Sequence, residues 1–403
     1  MTAIPLLERT IDVDGHEFAP PHLWGEIFGP VAARLAEVCG SFIRAMGEDY
    51  IYRPGQAADD AAMTYENVWT QRHTGAPGAF DMHRRLDAMD LMGVRRQLIF
   101  PSYGLWGQIL ATPEGGGSIA NALRHFLGDP SEAETRELGF AATDEWNDWC
   151  VRTTALAPDR LRPVGMLKAP RDAADLIGQT RDLVGRGIRA LQINSGEPPA
   201  GLSPASPELD PYWAFLAEND VSVMAHVGSD LGFIASAAWS DAPAFAPNKQ
   251  SFELGFEPYS FATLHLPVEH FLTVMVLGGV FERHPRLRFG AIELGAHWLG
   301  PLADNLDMWA TTIFAGRIKA TLSRKPSEYL ARNVRVTPHN IVEPVAQFFS
   351  RYPQLADCYC YSTDYPHIEG GAHIDRKMHD MLAPLGEEVL EKYFSANGTW
   401  LMP

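Results

Sequence analysis

The stretch Thr10-Ile-Asp12-Val-Asp14-Gly-His16-Glu-Phe-Ala-Pro20 decides how the rest of the chain is read. Thr10 to Val13 has the β-branched, apolar character of a short buried strand, and the turn residues after it mark its end. Asp14 and His16 stand two residues apart, and alternation along an extended chain sends such a pair to one face. One strand end therefore offers a carboxylate oxygen and an imidazole nitrogen to the same point, a pairing suited to zinc or another first-row metal. Two ligands do not make a site, because Asp and His also cap turns. The reading turns on whether other strands end the same way.

They do. Val221-Ser-Val-Met-Ala-His226 is an apolar strand ending on a histidine, and Leu287-Arg-Phe-Gly-Ala-Ile-Glu293 is one ending on a glutamate. Cys358-Tyr-Cys-Tyr-Ser-Thr-Asp364-Tyr-Pro-His367 ends on an acid and a turn proline, with a histidine beyond it. In a parallel α/β barrel, reactive groups collect where strands end, at the carboxyl face. Strands are expected near residues 11, 97, 164, 190, 223, 290, 335 and 360, the third spanning 161–167 and the last 357–362. Helices are expected between most of them, at 84–92, 135–155, 172–184, 210–218, 263–283, 296–313 and 342–351. This alternation predicts a parallel sheet with right-handed crossovers, closed as a (β/α)8 TIM barrel. Its first and last strands would be neighbours, which places Asp14 beside Asp364.

Residues 1–403 read as one barrel domain carrying two insertions over the carboxyl face, at about 21–80 and 228–260. Both are loop-like and rich in aromatic residues, the second through Phe233, Trp239, Phe245, Phe252, Phe256 and Tyr259. Gly115-Gly-Gly-Ser118 lacks the Lys-Ser/Thr of a phosphate-binding loop and reads as a flexible connection.

The composition of the 403 residues, 46% hydrophobic and 21% charged, is that of a globular protein with a sizeable core. A net charge of −17 argues against nucleic acid or an anionic membrane as partner. No uninterrupted apolar run reaches the roughly 18 residues of a membrane helix, and the first residues lack a signal-peptide pattern. Cys39, Cys150, Cys358 and Cys360 are too few for a disulfide framework in so long a chain. The expectation is a reduced cytoplasmic protein acting on a small molecule, assembled as a homo-oligomer, a dimer first of all.

Asp14-Gly-His16, His226, Glu293-Leu-Gly-Ala-His297-Trp298 and Ser362-Thr-Asp364-Tyr-Pro-His367 together resemble the amidohydrolase superfamily. Within it, the chain is most similar to the branch of aminocarboxymuconate semialdehyde decarboxylase and the resorcylate and carboxyvanillate decarboxylases. Asp87 to Val94, Asn147-Asp-Trp149, Arg160 to Gly165 and Gly187 to Leu191 resemble that branch's connecting segments. The resemblance implies that His16, His226 and Asp364 bind a metal, with Asp14 standing where the branch has His or Glu. It implies one divalent ion or two, zinc first, with iron or manganese as alternatives.

At Glu293 many members carry a histidine instead, so this chain departs from the pattern in its reacting groups. Glu293, Asp364 and His367 are the candidate catalytic residues, moving protons near a metal-bound water or the substrate. Because a carboxylate suits the base of a metal-activated water, the first expectation is hydrolysis of an ester, lactone, amide, thioester or C–C bond in an apolar small molecule. The alternatives are non-oxidative decarboxylation of an aromatic or enol carboxylic acid, and a barrel that binds a ligand without catalysis.

Overall fold

A strand buried on both faces needs a helix over its outer side, and the chain supplies that alternation nearly throughout. The computed structural model describes residues 8–45, 55–111, 123–228, 237–245 and 258–403. Its strands are β1 (Thr10–Asp12), β2 (Val94–Ile99), β3 (Leu161–Pro163), β4 (Gly165–Met166), β5 (Ala190–Gln192), β6 (Ser222–His226), β7 (Arg288–Ile292) and β8 (Val334–Val336). All pair in parallel, in the orders β1-β2-β3 and β4-β5-β6-β7-β8. This is the (β/α)8 barrel architecture, with two departures from the strands expected.

The strand expected over 161–167 is in two pieces, because side chains take the backbone groups that would continue the ladder. Asn147, on the helix Glu132–Leu156, accepts from Met166 N and donates to Met166 O, both at 2.9 Å. Trp146 Nε1 donates to Val164 O at 2.9 Å. Val164 N still donates to Ile99 O at 2.9 Å, which joins the two sheets.

The segment expected to be the last strand, 357–362, makes one isolated bridge, Tyr359 to Val336, in place of a ladder. Tyr361 N is spent on Tyr393 O at 2.9 Å, outside the barrel ring. Closure rests on single bonds. Toward β8, Val336 N donates to Cys358 O and Cys360 N to Val336 O, at 2.8 and 2.9 Å. Toward β1, Val13 N donates to Tyr361 O at 3.2 Å, Asp364 N to Asp14 O at 2.8 Å and His16 N to Tyr365 O at 2.7 Å.

Ile11, Val13, Leu98, Phe100, Val164, Ala190, Met224, Ile292 and Cys360 form one apolar cluster within the ring, with Leu401 and Met402 packed against it. The chain's end is held at the amino ends of the strands: Ser222 Oγ donates to Leu401 O, and Arg162 Nη1 to Pro403 O at 2.8 Å. The barrel is thus filled from below, leaving the carboxyl face for chemistry.

The insertion at 21–80 is not loop-like throughout. It contains the 16-residue helix Pro30–Ala45 and the shorter helices Trp24–Ile27 and Tyr65–Thr70. Glu145 fixes the start of the long one, accepting from Val31 N and Ala32 N at 2.8 Å each, where a carboxylate also suits the helix dipole. Phe28 stacks on Tyr103 at 4.4 Å. Of the second insertion, Phe233, Phe252 and Phe256 lie outside the described residues, as does Gly115 to Ser118. The helix Tyr103–Ala111 was not anticipated, and the one expected over 263–283 is broken into Pro258–Thr263, Leu266–Leu277 and Val280–Arg283. Pro258–Leu277 is apolar and long enough to cross a membrane by length and composition, yet it is split here, and Val268, Phe271, Leu272, Met275 and Val276 lie in the core.

Candidate metal centre

Each residue of the centre stands just past a strand. Asp14 and His16 follow β1, His226 ends β6, Glu293 follows β7, and Asp364 and His367 follow the bridging segment beside β1. Ligand atoms of Asp14, His16, His226 and Glu293 lie within 4.8 Å of one another, and so do those of His16, Glu293, Asp364 and His367. The two groups share His16 and Glu293. Glu293, for which a base, a metal ligand and a substrate contact were all open, and His367, expected to act in catalysis, thus fall among the atoms that can hold an ion.

The distances show acceptors converging on one point. His226 Nε2 is 3.1 Å from Glu293 Oε2 and 3.4 Å from Asp14 Oδ1. His16 Nε2 is 3.4 Å from Asp14 Oδ1, 3.5 Å from Asp364 Oδ1 and 3.8 Å from Glu293 Oε2. His226 Nδ1 lies 2.9 Å from Val227 O, and since a carbonyl only accepts, Nδ1 carries the proton. As a metal ligand the ring would use Nε2, the atom that stands beside the two carboxylates. His16 is 1% exposed, and neither of its ring nitrogens makes a hydrogen bond among the described residues. Lone pairs and anions facing one another out of water need a positive charge between them. The donor set, imidazole nitrogen with carboxylate oxygen, fits a divalent first-row cation.

Electrostatics act in the same direction. Burial pushes the His16 imidazole down to about 3, helped by His367 and His226 and opposed by Asp14, so the ring is neutral, the form that ligates. Burial alone would raise the Asp14 carboxyl, but His16 and His226 hold it well below the usual carboxylate range.

Backbone shape aims the two outlying acids. Glu293 and Asp364 have φ of 57° and 51°, the left-handed region that non-glycine residues seldom adopt. Glu293 N donates to Thr337 Oγ1 at 2.7 Å, which holds the bend after β7. The bend at Asp364 is held from β1. Asp12 Oδ1 accepts from Asp14 N (3.1 Å) and Thr363 N (2.9 Å), and Oδ2 from Gln97 Nε2 (2.7 Å) and Thr363 Oγ1 (2.5 Å). Burial lifts the Asp12 carboxyl to about 7 against those four donors. Arg85, also buried, donates to Gln97 Oε1 at 2.9 Å and to the His16 carbonyl at 2.5 Å.

A cleft of about 280 Å³ opens at the acids, lined by Asp14, Glu293, Asp364, Thr337, His339 and Asn340 among others. A larger hollow of about 880 Å³ lies over β4 and β5 and includes none of the converging ligands. The smaller one is where the ligating atoms converge.

His367 Nδ1 lies 2.9 Å from Asp364 Oδ1, and its ring is 4.0 Å from that of His16. His297 is half-exposed and paired with Glu343 Oε1 at 2.8 Å, away from the converging atoms. Asp12, Arg85, Gln97, Thr337, Thr363 and His339 were not anticipated. Only His339 carried a readable signal, an imidazole just beyond an expected strand end. The others act through hydrogen bonds between segments distant in sequence.

Comparison with known proteins gives the family and the fold. Residues 120–399 match the family model described as amidohydrolase. An amidohydrolase from Mycobacterium avium subsp. paratuberculosis superposes with a TM-score of 0.65 at 18% identity, over 98% of this chain and 99% of that one. The 5-carboxyvanillate decarboxylase of Novosphingobium aromaticivorans, solved with manganese and 4-hydroxy-3-methoxy-5-nitrobenzoic acid, gives 0.56 at 18% identity over 100% of both chains. The 2,6-dihydroxybenzoate decarboxylase from Rhizobium gives 0.53 at 16% identity, over 97% and 98%. At these identities the likeness concerns the fold.

Proposed function

Starting from the fact that this chain belongs to the amidohydrolase family, we propose that it is a metal-dependent, non-oxidative decarboxylase of an aromatic or enol carboxylic acid. The observation that carries this reading is the place of Glu293. Its Oε2 stands 3.1 Å from His226 Nε2, among the ligating atoms. A carboxylate engaged there is not free to serve as the base for a water, which was the main argument for hydrolysis. Similarity to decarboxylases of carboxylated phenols supports the same choice.

His16, His226 and Asp14, with Glu293 and Asp364, are the residues that would hold the divalent ion. Such an ion supplies a grip on the substrate carboxylate and a neighbouring oxygen, and draws electron density from the ring. The protein's own part is to deliver a proton. His367, the member of the second ligand group not needed to hold the ion, is hydrogen-bonded to Asp364 and gives its proton to the carbon bearing the carboxylate. The C–C bond to the carboxylate then breaks, its electron pair returns to the ring or enol, and carbon dioxide leaves. Asp364 stabilises the imidazolium before transfer and orients the ring.

The test is to incubate the protein, loaded in turn with manganese and zinc, with 2,6-dihydroxybenzoate and 5-carboxyvanillate, and to measure the decarboxylated product. Metal-dependent release of carbon dioxide is expected, with His367→Gln lowering kcat by about 10²–10⁴. Cleavage of aryl esters or lactones, with no decarboxylation of any carboxylated phenol, would establish hydrolysis instead.

A further inference from the structure

His339 lines the cleft at the acids, and the metal chemistry does not use it. It stands three residues past β8, and its backbone is held on both sides. Its N–H donates to Glu343 Oε2 at 2.8 Å, while its carbonyl accepts from Val342 N and Glu343 N at 3.0 and 2.9 Å. Gly295, at a φ of 70°, brings the bend after Glu293 close against the ring, where a Cβ would stand 3.2 Å from His339 Cδ2. The imidazole is part-exposed, whereas that of His16 is sealed from water. Neither of its ring nitrogens makes a hydrogen bond among the described residues.

The other residues of the cleft show what such a ring could do. Asp14, Glu293, Asp364 and Glu369 bring four carboxylates, which only accept when ionised. Among the lining residues, side-chain nitrogen comes from Asn340 and His339 alone. Asn340 is spent: its Nδ2 donates to Ser362 O at 2.7 Å, and its Oδ1 accepts from Tyr393 OH at 2.5 Å. His339 therefore carries the side-chain N–H of this wall that an incoming molecule can use. Burial lowers its imidazole below the ordinary value, against the pull of Glu343 and Asp14, so the ring is neutral and offers one donor and one acceptor. A neutral ring among acids suits an uncharged oxygen better than a second anion. We propose that His339 is a substrate-binding residue, hydrogen-bonded to a hydroxyl or carbonyl oxygen that the ion does not hold. The substrate is then an acid with an oxygen substituent beyond the pair gripped by the metal. This rests on the reading that the cleft receives the substrate, whichever bond is broken there.

The test is titration calorimetry on the full-length, manganese-loaded protein with benzohydroxamate, whose two oxygens chelate the metal, and with its 2-, 3- and 4-hydroxy derivatives. Wild type should bind at least one hydroxylated probe about tenfold more tightly than benzohydroxamate. His339→Phe, which keeps a flat ring without the N–H, should lose that preference while its metal content stays unchanged. His339→Gln, which keeps a donor and an acceptor, should retain most of it. No probe carries a carboxylate to lose, so failure here is separable from failure of the decarboxylase reading. The proposal is overturned if His339→Phe keeps the preference, if His339→Gln loses it as fully as His339→Phe, or if wild type binds all four probes alike or none of them. Should His339→Phe not fold, His339→Leu with a matching thermal melt carries the same comparison.

Discussion

The two sides of this barrel are built differently. From β4 to β8 the strands pair in a continuous parallel ladder, and β6 and β7 match over five positions, from Ser222↔Arg288 to His226↔Ile292. At the seam between β8 and β1 the ring closes through isolated bridges, and the buried carboxylate of Asp12 ties Thr363 to β1 and β2. The ladder side contributes rigid strand ends, bearing His226 and, after a bend, Glu293. The seam contributes irregular backbone, which lets Asp14, His16, Asp364 and His367 crowd around one point. Alternation alone brings Asp14 and His16 to one face, but Asp364 and His367, three residues apart, need the bend at Asp364. Where the ladder stops, the donors converge.

This contrast can be broken by experiment. The largest effect is expected on the metal itself. His226→Ala removes an imidazole from the cluster, so bound metal, measured by plasma mass spectrometry, should fall to background and turnover with it, while circular dichroism stays that of the folded barrel. Full metal content in that variant would remove His226 from the ligand set.

Next comes a change inside the ladder side. Met224 is fully buried below His226, and Met224→Ala should cost about 2–5 kcal/mol in denaturant unfolding while metal stoichiometry holds. At the seam the balance should reverse. Asp12→Asn sets an amide N–H₂ against donors, with an expected loss of about 1–3 kcal/mol. Metal affinity should drop about 10–100-fold, because Thr363 and Asp14 lose the group that positions them. If Asp12→Asn leaves metal affinity unchanged, the seam is only structural.

The smallest effect sharpens the boundary of the centre. The hydrogen bond to Glu343 raises the His297 imidazole above its ordinary value. A raised folded value means that this pair's stabilisation is present below about pH 6.5 and is lost as pH rises through the folded value. In an NMR titration Glu343→Gln should return His297 toward 6.5 without altering metal content. A change in metal content would draw Glu343 into the site.

Much of this was legible in the residue order. His226 and Glu293 end runs of apolar, β-branched residues, and such runs announce a buried strand and its terminus. The helices at 82–92, 173–185 and 210–218 fall within a few residues of expectation, and capping residues mark the first two: Asp81 accepts from His83 N, and Asp172 from Asp175 N. Cys358 to Ser362 misled, since its apolar alternation promises a strand while Tyr361 N goes to Tyr393 O. The helix Pro30–Ala45 was hidden by the prolines and glycines around it, and Glu145, more than a hundred positions away, secures its start.

The order of residues settles what depends on local periodicity: alternating strands and helices, the barrel they build, and reactive side chains at strand ends. Which of those side chains share an ion depends on bonds between segments far apart in sequence. Asp12 holds Thr363 across more than three hundred residues, and Glu293 leans on Thr337. A carboxylate becomes a ligand, a base or a brace according to what folding places within about 4 Å of it, and only the tertiary structure decides that distance.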